Sequence, residues 1–210
     1  METLKRTAII VMVLVLVLVS QSVEIGAQNS KYQSAMHKSY EYEQSKNYTA
    51  AIKEVSSVYK SDDYFINLRL GWLYYLSKKY TQSISSYEKA IALKPYAIEA
   101  RFGCVKPLSA IESWEKVKTQ YLHILKIDPQ NTVANYWLGV IYYNRKEYNN
   151  ANKLFEKVVN LYPLDYDSVI MLGWTKLQLG KSNEAKVLFN HALTLRPNDK
   201  SASDGLKLIK

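Results

Sequence analysis

The chain has 210 residues, carrying 28 Lys and Arg against 19 Asp and Glu, a formal net charge of +9 and one cysteine. A single Cys excludes an intramolecular disulfide framework, and the basic balance raises the expectation of anionic partners such as phosphate-bearing lipid, acidic glycan or an acidic protein. No Gly-rich phosphate loop, zinc-ligand spacing or Ser/His/Asp constellation is present, so the chain is not read as an enzyme and no catalytic residue, cofactor or metal is expected.

Residues 1–27 have the three-part form of a secretory signal: Lys5 and Arg6, an unbroken apolar run of 12 residues from Ala8 to Val19, and "SQSVEIGA" closing on the small Ala27. The run is short for a membrane span, so cleavage near Gln28 and an exported, periplasmic or secreted protein are expected. Retention as a membrane anchor through residues 7–20 is the alternative, and only then is a membrane contact expected. No Cys follows the run, which excludes a lipid-modified N-terminal cysteine. Cleavage removes Glu2, Lys5, Arg6 and Glu24 and leaves the charge at +9; outside the cytoplasm, nucleic acid is not an expected partner.

Beyond this segment the chain repeats itself. "LGWLYYLSKKYTQSISSYEKAIALKP" from Leu70 returns as "LGVIYYNRKEYNNANKLFEKVVNLYP" from Leu138, and Pro95, Pro129, Pro163 and Pro197 follow one another at intervals of 34. The period divides the chain into a weak unit at 32–63, clear units at 64–97, 132–165 and 166–199, and a worn unit at 98–131. With Gly71, Gly139 and Gly173 at position 8, positions 4, 7, 8 and 11 recur at helical spacing in the first half of each unit and 20, 24, 27 and 28 in the second, with Pro at 32. Two helical periodicities separated by a polar turn predict a helical hairpin per unit. The small residues at 8 and 20 (Ser83, Ala151 and Ala185 at the latter) predict the closest approach of the paired helices. Residues 200–210, with Ala202, Leu206 and Ile209 on one stripe, predict a final helix that caps the array. No linker divides the chain, so one α-solenoid domain is expected.

The unit at 98–131 has Val105 and Val117 at positions 8 and 20 and Pro107 inside its first helix. It is expected to be splayed, with a bend near Gly103 to Pro107; a bend that shapes a ligand site is the functional alternative. His37, His123 and His191 fall in hairpins two apart, on the order of 20 Å from one another at ordinary helix spacings, too far to share a metal. Cys104 takes the place of a Leu and is expected to be buried as a small apolar residue.

This pattern resembles the tetratricopeptide repeat family, and within it secreted or periplasmic bacterial members: Leu-Gly at 7 and 8, Tyr at 11, Ala at 20, an aromatic at 24 and Pro at 32. The resemblance implies an all-α solenoid of about five helical hairpins plus the capping helix. The family's large aromatic at position 4 is absent, with Asn67, Arg101, Asn135 and Val169 in its place and Trp137 at position 6 as a partial substitute. It also implies a concave groove lined by positions 2, 5, 9 and 12. In the first unit these are Gln33, Met36, Tyr40 and Glu43; in the second, Phe65, Leu68, Trp72 and Tyr75. Glu99, Phe102, Lys106 and Ser109 follow, then Val133, Tyr136, Val140 and Tyr143, and finally Asp167, Ile170, Trp174 and Leu177.

The implied partner-binding residues are Phe65, Leu68, Trp72, Tyr75, Phe102, Lys106, Tyr136, Val140, Tyr143, Ile170 and Trp174. The Lys and Asn pair that clamps a C-terminal carboxylate in chaperone-binding members is missing, so that mode is not expected. An apolar face of this kind marks an interaction surface unless the N-terminal segment or a second copy covers it. The expected role is a non-catalytic scaffold of the cell envelope that holds a protein or peptide segment, with binding of an acidic glycan as the alternative. Lys46, Lys78, Lys79, Arg145, Lys146 and Lys181 recur in the turns within hairpins. They are expected to be solvated, with an anion-binding edge as the alternative.

Overall fold

The computed structural model describes residues 28–209, which form eleven helices and no strand. The expected signal segment therefore lies outside the described residues. Each repeat unit is a pair of antiparallel helices, as its periodicity requires. Where a single array was expected, the packing divides into two compact units, one ending at Leu93 and the other beginning at Lys94. The division falls where the worn repeat begins.

The first unit holds α1 (28–44), α2 (Tyr48–Ser56), α3 (Tyr64–Leu76) and α4 (Tyr80–Leu93). Met36, Ala51, Val55, Ile66, Leu70 and Leu73 form its buried core. Asp63 caps α3 by accepting from the Ile66 N–H at 2.9 Å, which satisfies one of the donors a helix start leaves open. The Tyr32 phenol hydrogen-bonds the same carboxylate; burial first, then Asp63, pushes it up to about 12. Between α3 and α4 the helices come close enough that a Cβ on Gly71 would lie 2.9 Å from the Tyr87 ring. The Ser83 hydroxyl, at position 20, donates to the Gly71 carbonyl at 2.6 Å.

The second unit holds α5 (Glu99–Ala110), α6 (Trp114–Ile127), α7 (Thr132–Asn144), α8 (Tyr148–Leu161), α9 (Tyr166–Gln178), α10 (Ser182–Leu195) and α11 (Lys200–Lys207). Asn131, Asp165 and Asp199 cap α7, α9 and α11 as Asp63 caps α3. The worn repeat breaks this rhythm, since Ile98 offers α5 no side-chain cap. Contact between α5 and α6 is also sparser than between α7 and α8, in line with the splaying expected from Val105 and Val117. The helix nonetheless runs unbroken through Pro107 to Ala110, because one missing N–H near the C-terminal end removes a single bond from the ladder. Pro107 thus does not end the helix. Cys104 is buried at 1% exposure.

Position 4 has acquired a polar role. Asn67 donates to the Ser61 and Asp63 carbonyls, and Asn135 repeats the arrangement with the Pro129 and Asn131 carbonyls. Arg101 reaches the equivalent Pro95 carbonyl at 3.2 Å, with burial lowering its pKa. These side chains tie the loop before each helix to its first turn by bonding carbonyls on either side of the cap. They take the place of the family's aromatic; Trp137 does not, as it lies on the surface at 48% exposure.

The turn inside each hairpin is a Schellman motif. In the second repeat, Lys79 N–H bonds Tyr74 O and Lys78 N–H bonds Tyr75 O, and the same two bonds recur in the other four. The motif needs one residue in the left-handed region, supplied by Lys46, Lys78, Glu112 and Lys146 at φ of 57–61° and by Gly180 at 74°. A side chain there costs energy that glycine avoids. Lys146→Gly should therefore stabilise the protein by up to about 1 kcal/mol, read as a higher urea midpoint at unchanged m-value. Gly180→Ala should destabilise although a Cβ there would meet nothing within 4 Å. A lower midpoint for Lys146→Gly would refute this account of the turn.

Candidate functional site

In the first unit, Phe65 is 40% exposed and Leu68, Trp72 and Tyr75 are half-buried along one face of α3. The Trp72 and Tyr75 rings lie 5.7 Å apart and Tyr75 stands 6.1 Å from Tyr80. The Trp72 indole N–H donates to Glu43 at 2.6 Å. The other oxygen of Glu43 receives Arg69, which is only 5% exposed, stacks 3.8 Å over the Tyr40 ring and donates to the Ser39 hydroxyl. This network was invisible in the sequence: Arg69 sits at position 6, outside the expected lining, and its partners are 26 to 30 residues away.

In the second unit the expected residues divide. Phe102 is half-buried and meets Tyr121 edge to face, the ring centres 6.4 Å apart, and Lys106 is exposed. On α7, Tyr136, Val140 and Tyr143 are half-buried on one face. Tyr136 meets Phe155 edge-on at 5.9 Å and Tyr143 meets Tyr148 at 5.4 Å. Both phenols are raised by burial, Tyr136 also by Asp167 and Asp165. On α9, Ile170 is buried. Trp174 turns its ring edge to Phe189 at 5.2 Å and donates its indole N–H to Ser201 of α11 at 2.9 Å. The capping helix therefore occupies part of the face expected to be open on α9.

Two depressions adjoin α7. One, of about 270 Å³, lies among Val133, Tyr136, Trp137, Asp165, Asp167 and Ser168. The other, of about 460 Å³, runs past Tyr162, Pro163 and Leu164, sharing Thr132, Val158 and Asp165 with the first. Trp137, expected as a partial substitute within the repeat's packing, thus lines a surface depression, and Ser168 carries no periodic signal that marks it in the sequence. Among the turn residues, Arg145 is paired with Glu115 at 2.6 Å and Lys181 with Glu184 at 3.5 Å. A further cation lies on α9, outside the turns and outside the expected lining. Lys176, 5% exposed, bridges Glu156 of α8 and Glu184 of α10. Burial pulls its ammonium down, but the two carboxylates outweigh that and hold it above its ordinary value. Among the described residues no cluster of His, Cys, Asp or Glu could hold a metal, and no helix is long and apolar enough to cross a membrane.

Comparison with known proteins agrees with this architecture. Tetratricopeptide repeat models match residues 66–96, 133–165 and 166–199. A solved tetratricopeptide repeat protein from Parabacteroides merdae superposes with a TM-score of 0.73 over 84% of this chain and 71% of its own, at 18% identity. A MamA structure superposes with a TM-score of 0.69 over 80% and 92%, at 20% identity. Among curated proteins, the human protein O-mannosyl-transferase TMTC1 is 26% identical over 137 residues, a match covering 63% of this chain but only 16% of TMTC1. The chain thus carries tetratricopeptide repeats, and its fold is of the all-α tetratricopeptide solenoid class.

Proposed function

We propose that this protein is a non-catalytic scaffold of the bacterial cell envelope that holds protein segments against the aromatic faces of its first helices, each unit by its own face. Tetratricopeptide folds serve protein association, and the observation that carries the reading here is the run of half-exposed rings on α3 and α7: Phe65, Trp72 and Tyr75 on one, Tyr136 and Tyr143 on the other. Partly exposed aromatics make strong anchors because they bury much apolar area for little lost side-chain freedom. Leu68 and Val140 between them suit an apolar peptide better than a sugar. Export rests on the charged, apolar and small-residue order of residues 1–27.

Phe65 and Tyr143 are the clean probes, since Trp72 and Trp174 also hold internal hydrogen bonds. A partner captured from envelope extract, on bait whose intact mass begins near Gln28, should bind Phe65→Ala and Tyr143→Ala about thirtyfold more weakly, the equivalent of roughly 2 kcal/mol. Phe65→Ala should melt close to the unsubstituted protein, whereas Tyr143→Ala, which loses its packing on Tyr148 and the core beside it, should melt somewhat lower while keeping its helical content. Normal binding by both variants would overturn the reading. Displacement of the partner by an acidic oligosaccharide, with steep salt dependence, would move the assignment to glycan binding.

A further inference from the structure

We propose that the depression between α7 and the start of α9 receives a lysine or arginine side chain of the partner segment, a refinement that rests on the protein-binding reading above. Its chemistry differs from that of the chain as a whole. The protein carries +9, yet the ionisable side chains lining this hollow of about 270 Å³ include Asp165 and Asp167 and no cation. Trp137, 48% exposed, and Tyr136 stand edge to face at 5.3 Å and wall the same hollow with Val133. Aromatic faces beside carboxylates attract an alkylammonium or guanidinium twice over, through the ring quadrupole and through the charge. The aliphatic stem of the incoming side chain matches the apolar part of the wall.

An acidic rim by itself says little, because Asp165 already caps α9 by accepting from the Ser168 N–H at 2.8 Å. The independent observation is Ser168. It is fully buried, lines the hollow, and its hydroxyl has no hydrogen-bond partner. Buried hydroxyls are ordinarily satisfied, and an N–H donor entering the hollow supplies what this one lacks. Asp167 retains accepting capacity as well. Its contact with Arg196, at 3.7 Å, is exposed and too long for a hydrogen bond. Arg196 itself stacks 3.6 Å over Tyr166, so a ring on the neighbouring surface already holds a guanidinium.

The test uses the whole chain and blocked amino acids. N-acetyl-lysine methylamide and its arginine counterpart are titrated while the indole N–H resonance of Trp137, assigned with Trp137→Phe, is followed by NMR. Both cations should shift that resonance saturably, with the uncharged N-acetyl-norleucine methylamide binding at least tenfold more weakly. Asp167→Asn and Ser168→Ala should each weaken the lysine probe by about tenfold, a change of about 1.4 kcal/mol, while leaving thermal melting in place. Raising the salt should weaken it further. Equal binding of the norleucine probe, or unaltered lysine binding by Asp167→Asn, overturns the proposal. So does a shift produced by chito-oligosaccharide but not by lysine, which would make the hollow a sugar site. Loss of partner capture in Phe65→Ala and Tyr143→Ala without any response to the cations leaves the groove reading standing and removes this one; normal capture by both variants removes the groove reading and with it the partner side chain as occupant, even where the cations bind.

Discussion

Gly139→Leu is expected to unfold the α7–α8 hairpin, at a cost of about 3 kcal/mol or more. At this position an added Cβ alone would lie 2.8 Å from the Phe155 ring. Phe155 is fully buried, with Tyr136 against it, so the ring has nowhere to withdraw. Replacing glycine in a helix ordinarily gains about 1 kcal/mol with alanine, and here the steric term is of opposite sign and larger for anything beyond a methyl. The expected readout is a lower denaturant midpoint with partial loss of helical signal. Because each repeat leans on its neighbours, protection of amides in α9 should fall too. Shortening the opposing ring relieves the clash, so Gly139→Leu with Phe155→Leu should lose less stability than the two single changes added together. A Gly139→Leu variant as stable as the parent would show that the helices can separate freely, against the packing described here.

Phe189→Ala should be equally damaging through the opposite cause, a void. Phe189 is fully buried between two glycines: a Cβ on Gly173 would come within 2.9 Å of it and one on Gly205 within 2.4 Å. Two helices have therefore been pared around one ring carried by a third. Removing a buried Phe costs about 3–5 kcal/mol, and the loss should be spent largely on α11, which reaches the rest of the unit through this ring, Ala202 and the Trp174 to Ser201 hydrogen bond. Hydrogen exchange should show α11 unprotected while α7 and α8 stay protected. If α11 keeps its protection, other contacts hold the cap and the account of Gly205 is wrong.

Much of the hairpin architecture could be read along the chain because it depends on residues at fixed spacing within one unit. The 34-residue period, the glycine at position 8 opposite an aromatic at 24, and the closing proline specify which helix faces which. The caps belong to the same class, since Asp63, Asn131, Asp165 and Asp199 each bond an N–H three residues on. The looser contact between α5 and α6, where Val105 and Val117 stand in place of small residues, follows the same spacing.

What the sequence alone determined, then, is local: which segments are helical, where they turn, and which residues pair across one hairpin. Only the tertiary structure decided how side chains of successive hairpins meet. The Arg69, Glu43 and Trp72 network, the bridge from Lys176 to two helices, the placement of Ser201 on Trp174, and the hollow joining Trp137 to Ser168 all link residues 8 to 31 positions apart on different helices. Such meetings depend on the rotation and offset between helices that pack against each other, and small changes in those angles shift a side chain's tip by several ångströms. Periodicity identifies the face a residue occupies, whereas its partner is set by how neighbouring helices interdigitate around the small residues at positions 8 and 20.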